Sequence, residues 1–572
     1  KFLSVIVDQF HRGARLISMH DERINLAKLS LRAGKKASEF SAFMPCSVVY
    51  LKAGIELITD SDWESHRELC LDLYNLCAEM EYCLGHFKDA KGYAEEVIKR
   101  GNSLEDSLRA YYTLVQANGS EANTADAFAI ATAVLAKLGE LLPSSVTQVE
   151  VREELLKTQA LVQTKSADEL LVLESMQNES KRHAMKFFKI LLFYAYASRQ
   201  EYFALVACRM VQLSLLYGVC RESPGALAGY GMIVCGMLGN AAAGYSLGRL
   251  ALSVLERFDA KENIARVYCA MYGFIAHWIE PIQASVPSLK QGIDAGLSSG
   301  DTEYAFLNAH LYLGVSLASG KSLGPLIYEM RLYSKQMVEF NQNLVWLLNT
   351  PVRQAILNLS GTSDDPVKLV GDEMDENVFL QQSIEQSDYN ALSSMVYFYR
   401  MWLEYLFGEY ELAAETAKMN FNVEKHRMTR FVIVCNHAFY KGLSALALAR
   451  KEGRTNWITI IDQTMSQMKS WALSAPWNCQ HKLDLMVAEF TYLNGDVDEA
   501  AEAYDRAAST AAKHGFIHEQ ALALERAGIF HLECRNNDRA AEYFEQSHQC
   551  YMQWEAFGKA SHVKSLYLQG IV

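Results

Sequence analysis

In residues 71–100, LDLYNLCAEMEYCLGHFKDAKGYAEEVIKR, apolar side chains recur every three or four positions. Leu71, Tyr74, Ala78 and Tyr82 form one run; beyond a glycine, Phe87, Ala90, Ala94 and Val97 form a second. This step is one face of an α-helix, written twice. Gly85 between the runs predicts the left-handed turn that ends the first helix. Ala78 and Ala90 are small where the two helices must cross closely. The phrase at 82–94, YCLGHFKDAKGYA, returns at 405–417 as YLFGEYELAAETA and at 492–504 as YLNGDVDEAAEAY. Matching offsets hold Tyr405, Gly408, Tyr410, Ala413 and Ala417, then Ala488, Tyr492, Gly495, Val497, Ala500, Tyr504 and Ala507. Weaker copies carry Gly528 with Ala540 and Phe544, Gly300-Asp301 with Ala305 and Ala309, and Gly239 with Gly244 and Gly248.

Small, large aromatic, glycine, aromatic, alanine is the pattern of a tetratricopeptide repeat. One such unit cannot bury its own apolar face, so units must stack. The expected fold is an open all-α solenoid of helix–turn–helix pairs, a right-handed superhelix. At roughly 40 residues per pair, the chain holds about a dozen pairs. Few prolines and no period-two runs agree with it. The expected organisation is N-terminal repeats over 1–141, a joint over 142–183 around Pro143, and middle repeats over 184–359. An acidic loop over 360–390 and C-terminal repeats over 391–572 complete it. The loop carries Gly361, Pro366 and Gly371 among its acids and is expected to be exposed and mobile.

The chain has 572 residues and a net charge of −13, spread along its length. Duplex nucleic acid needs clustered cations, so it is not an expected partner. Two short basic runs, Lys181-Arg182-His183 with Lys186 and Lys189, and Lys425-His426-Arg427 with Arg430, read as solvated helix faces. The twelve cysteines include no CxxC pair. Cys70, Cys77 and Cys83 fall at helical spacing as small core residues, and nothing resembles a secretory framework, which points to the cytoplasm. The start at Lys1 reads as that of a piece excised from a longer polypeptide. Residues 223–248, SPGALAGYGMIVCGMLGNAAAGYSLG, carry no charge, but Gly239-Asn240 predicts a turn in the middle. Two short apolar helices are expected there, and no membrane span.

Some motifs imitate chemistry. Gly244-Tyr245-Ser246-Leu247-Gly248 matches the GxSxG of serine hydrolases, but that elbow needs a preceding strand and a strained turn. Here the glycines fall at helix-packing positions. Gly320-Lys321-Ser322 resembles the end of a phosphate loop, yet its opening glycine, Gly314, is one residue early and the preceding run is helical. His514 and His518 are interrupted by Gly515, and His531 and Cys534 have no partner pair, so no metal is expected. His66-Arg67-Glu68 lacks the aspartate of a kinase catalytic loop and is expected inside an amphipathic helix. No catalytic residue, cofactor or metal is assigned.

From Asn25 onward the chain resembles the helical repeat segment of large signalling hybrids. In that family a Ser/Thr kinase domain and a STAND-type AAA ATPase precede the segment, and a GAF domain and a histidine kinase often follow. The resemblance rests on NLAKLSLRAGKKASEFSAFMPCSVVYLKAGIELI, Trp63, the 82–94 phrase, MVQLSLLYGVCRESPGALAGYG and GYSLGRLAL. His277-Trp278-Ile279-Glu280-Pro281 is similar to its Trp-x-x-Pro turn. Glu525-Arg526-Ala527-Gly528 and the 550–559 run, CYMQWEAFGK, are similar to its closing repeats. The joint and the acidic loop depart from it. The resemblance implies a non-catalytic regulatory arm. It would bind a protein or peptide on its concave wall, or neighbouring domains, and bias a nucleotide switch and kinase outside this region. The alternatives are a stand-alone scaffold for a protein assembly and an all-helical enzyme.

Overall fold

The computed structural model describes residues 2–38, 44–121, 123–385, 390–420 and 431–569. Among them every regular element is a helix, and β-structure is confined to two isolated bridges, Ser175 with Val219 and Val370 with Asp375. Helices pack in sequence as antiparallel pairs, and the first helix of each pair also meets the first helix of the next. The protein is an all-α helical repeat solenoid.

The repeated phrase makes the same turn each time. Gly85, Gly408 and Gly495 hold φ of 78°, 88° and 93°, where a side chain would be strained. The next amide reaches back five residues: His86 N to Glu81 O at 2.9 Å, Glu409 N to Glu404 O at 2.8 Å, Asp496 N to Thr491 O at 3.3 Å. That bond satisfies a carbonyl that the helix end would leave orphaned. The turn also forms without glycine. Arg535 takes φ 62°, and Asn536 N bonds His531 O at 2.8 Å. Gly528 of that copy lies inside Ile517–Glu533, where a Cβ would come within 2.7 Å of the Phe544 ring. Ala78, Ala90, Ala413, Ala488 and Ala500 are all fully buried, and Tyr82 and Tyr405 nearly so. Tyr492 is half-buried, its hydroxyl donating to Glu533 at 2.9 Å.

Residues 223–248 form Ser223–Gly236 and Ala241–Arg257, with Gly239 at φ 66° between them. A different helix, Val432–Glu452, is the one described helix long and apolar enough to cross a membrane. Its window is 83% buried within the protein, as in a core helix.

The structure corrects three expectations. Residues 361–375 are a largely exposed loop, but one tied down at several points rather than free. Asn358 Nδ2 donates to Pro366 O at 3.1 Å and Lys368 O at 2.7 Å, and Gln354 Oε1 accepts Glu373 N at 3.0 Å. Leu369, Met374 and Phe379 then enter the core, the last from helix Glu376–Glu385. Charge density hid these apolar anchors, and the polar residues that satisfy the backbone lie outside the acidic stretch. Residues 386–389 lie outside the described residues, as does the 425–430 basic run. Within 142–183 the chain makes Gln148–Gln163 and Ala167–Leu171, each opened by a capping box, Thr147 with Glu150 and Ser166 with Glu169.

The second correction is that the solenoid is not open. All 17 residues of Thr302–Ala318 are buried. Gly314, Val315 and Ala318 of that helix line a narrow crevice with Phe398, Trp402 and Val432 of the C-terminal repeats. Successive turns of the superhelix also touch: Asn341 Nδ2 donates to Gly85 O at 3.0 Å, and Cys83 Sγ to Gly300 O at 3.4 Å. The third correction is His66, which is not helical. It stands at φ −132°, ψ 43° between Asp62–Ser65 and Arg67–Cys83.

Candidate functional site

The inner wall of the C-terminal block is built from Asn390–Leu406, Phe431–Glu452, Pro476–Asn494, Ile517–Glu533 and Phe557–Val563. Neighbouring helices are tied by buried charges. Glu489 lies between Arg450 and Arg526, with Arg526 Nε at 2.7 Å. Lys482 Nζ reaches Glu519 at 2.5 Å, and Lys559 Nζ reaches Glu525 at 2.7 Å. Burial raises the Glu489 carboxyl, but the two guanidiniums outweigh it and bring it down to about 2. A carboxylate so placed is ionised and matched only in this geometry, so it fixes how one repeat sits on the next.

On this wall the protein grips a segment of itself. Ala276–Trp278 and Ile282–Ala284 are short 3-10 turns separated by Pro281. Proline supplies no amide hydrogen and disfavours helix in the residue before it, so the backbone here needs partners from outside. Asn478 provides both kinds. Its Nδ2 donates to His277 O at 3.0 Å and Glu280 O at 2.8 Å; its Oδ1 accepts Ile282 N at 3.0 Å. Trp477 Nε1 donates to Ile279 O at 2.7 Å. Each of these bonds goes to main chain, so the clamp engages backbone rather than a side-chain sequence. A second grip lies on the last pair: Trp554 Nε1 donates to Lys321 O at 3.0 Å, and Glu555 accepts Gly324 N at 2.5 Å and the Ser322 hydroxyl. Beside the clamp, Cys435, Asn436, Lys482 and Phe516 line a small crevice. Sequence reasoning missed Trp477 and Asn478. The one signal was the Trp-x-x-Pro run they hold.

The motifs that imitate chemistry are spread over the molecule. Ser246 lies within helix Ala241–Arg257 and donates to Ala242 O at 3.0 Å. A Cβ on Gly244 would fall 2.3 Å from Cys235 Sγ, and one on Gly248 2.5 Å from Met271 Sδ, so both glycines serve helix contact. Gly320 ends Thr302–Ala318 at φ 81°, and the Lys321 ammonium is committed to Glu329 at 2.9 Å. His518 is buried with its ring centroid 5.0 Å from that of Trp554, and burial pushes its imidazole down to about 4. His514 gives its carbonyl to Gln283, and His531 stacks on Tyr543 at 5.1 Å. Cys70, Cys77 and Cys83 are buried, their thiols pushed up to about 11, 12 and 12 chiefly by desolvation, which leaves them unreactive. In the 181–189 run Lys181 pairs with Glu140 at 2.5 Å, and Lys189 donates to Asn263 at 3.1 Å.

No family model matches the chain. It is similar to "Hybrid signal transduction histidine kinase G" of Dictyostelium discoideum, 20% identical over 388 residues, which is 62% of this chain and 11% of that protein. The chain thus spans about a tenth of the length of that curated relative. Two solved helical proteins align along most of it. "Crystal Structure of the Yeast Tom70" shares 11% identity, covering 93% of this chain and 96% of that one, at a TM-score of 0.29. "Circular tandem repeat protein with novel repeat topology and enhanced subunit contact surfaces" shares 12%, covering 94% and 98%, at a TM-score of 0.15. The assignment as a helical repeat protein rests on the helix pairs themselves.

Proposed function

We propose that this chain is a non-catalytic protein-interaction and regulatory module of a cytoplasmic multidomain signalling kinase. It relays partner binding to nucleotide-switch and kinase domains elsewhere in the parent protein. The observation that carries the reading is the Trp477–Asn478 clamp, where a repeat wall holds another segment through hydrogen bonds to its main chain. Such a wall accepts segments of varied sequence. A partner segment, or one from a neighbouring domain, competes with residues 277–282 for the same donors and acceptor. Occupancy of the clamp then biases how the middle repeats sit on the C-terminal ones. The similarity to a hybrid signal transduction histidine kinase supports the signalling context.

The test has two arms. The isolated chain should show no ATP turnover and no phosphoryl transfer. In the parent protein, Trp477→Ala with Asn478→Ala should change how autophosphorylation responds to partner. Kinase activity indifferent to the double variant would favour a passive scaffold instead, and phosphoryl transfer by the isolated chain would sink the non-catalytic reading.

A further inference from the structure

From the sequence no metal is expected, because Gly515 interrupts His514 and His518, and His531 and Cys534 have no partner pair. The fold gathers a different set. His20 opens helix His20–Ser38, Asp62 opens the short helix Asp62–Ser65, and His66 follows it. Because His66 breaks the helical path, its ring stacks on that of His20, with centroids 5.8 Å apart and planes at 25°. One ligating atom from each of His20, Asp62 and His66 lies within 4.8 Å of the other two.

Asp62 is fully buried. Its Oδ2 is well satisfied, accepting Thr59 N at 2.7 Å, Thr59 Oγ1 at 2.6 Å and Arg23 Nη2 at 3.3 Å. Its Oδ1 accepts no hydrogen bond, although His20 Nε2 lies 3.5 Å away. A buried carboxylate oxygen to which the neighbouring His20 nitrogen, 3.5 Å away, makes no hydrogen bond is costly to keep and calls for an explanation. Beside two imidazoles, this carboxylate is placed as the third ligand of a cation.

We propose that His20, Asp62 and His66 form a binding site for a divalent transition metal of the zinc type. Two imidazole nitrogens and one carboxylate oxygen suit Zn²⁺ or Co²⁺, whereas Mg²⁺ and Ca²⁺ favour oxygen sets. Three protein ligands leave a position for water. His20 is 47% exposed and gives the ion a way in. Thr59 fixes the carboxylate from behind, as outer partners do at metal centres.

Arg23 is the opposing element. Its Nη2 also lies 2.9 Å from His20 Nδ1. A guanidinium can only donate, so Nδ1 accepts and the ring proton sits on Nε2. Coordination through Nε2 moves that proton to Nδ1; Arg23 releases the ring and keeps Asp62. The bound ion then ties the start of one helix to the turn that opens the next pair.

The whole chain is titrated with Co²⁺, followed by its visible absorption, and then with Zn²⁺ to displace it. One equivalent is expected to bind. His20→Ala and His66→Ala, both at partly exposed positions, should each weaken binding about ten-fold or more, and Arg23→Gln should strengthen it. Zn²⁺ should raise the melting temperature of the native chain but not that of His66→Ala. The site is overturned by the lack of saturable Co²⁺ absorption, or by equal affinity in the native chain and both histidine variants. An Arg23→Gln chain that binds no better than the native one overturns the displacement step.

Discussion

Two buried glutamates show how environment sets the contribution of a single side chain. Glu489, held between Arg450 and Arg526, is brought down to about 2 from an ordinary 4.5. Its stabilising effect is present above about pH 4.5 and is lost as pH falls toward 2. Glu489→Gln leaves two buried guanidiniums without their counter-charge and should cost about 3–5 kcal/mol, measured by denaturant unfolding. Glu303 is the opposite case. Burial pushes its carboxyl up to about 7, against the pull of Arg266, while Tyr194 donates to it at 3.2 Å. The folded protein is penalised as pH rises from 4.5, where the unfolded chain ionises, through about 7. Glu303→Gln should therefore raise the melting temperature above that window and leave it unchanged below it. The gain is at most about 3 kcal/mol. A gain that is the same at both pH values would count against the assignment.

At the scale of elements, close helix crossings depend on small residues. Gly296, in Ser285–Ser299, lies where a Cβ would meet Ala305 Cα at 2.8 Å. The obstacle is backbone, which cannot rotate away. Gly296→Ala should cost about 1–3 kcal/mol, with Ala500→Leu in the same range at the crossing of Pro476–Asn494 with Val497–Lys513. Thermal unfolding reads both. Native stability in Ala500→Leu would mean that the repeat register drawn from the 492–504 phrase is displaced. The turns are more forgiving. Arg535 adopts the conformation that Gly495 adopts, so the flanking helices and the five-residue return bond, more than glycine itself, set the bend.

For the whole molecule, the consequential feature is that the inner walls of the middle and C-terminal repeats meet. Asn478 alone holds three main-chain groups of 277–282. Asn478→Ala should cost about 1–3 kcal/mol, because it strands buried backbone groups. Amide hydrogen exchange should quicken at 277–284 and stay slow within Pro476–Asn494. Unchanged exchange at 277–284 would show that the segment is held by packing instead.

The sequence by itself determined the local elements. Helical periodicity, alanine at the crossings and glycine at the turns are nearest-neighbour properties, and 82–94, 405–417 and 492–504 each record them within a few residues. It also separated Ser246 and Lys321 from the chemistry their motifs imitate, since strand or helix before a motif is a local property. Only the tertiary structure decided what lies across the superhelix axis. Asn478 faces Ile282, and Trp554 Nε1 meets Lys321 O. Such encounters depend on the radius and pitch of the superhelix, which accumulate from small rotations at every pair and leave no periodic mark in the chain. The 361–375 segment failed to declare itself for the same reason. Its charges were visible along the sequence, but the side chains that hold it, Gln354 and Asn358, read as ordinary polar residues of the preceding helix.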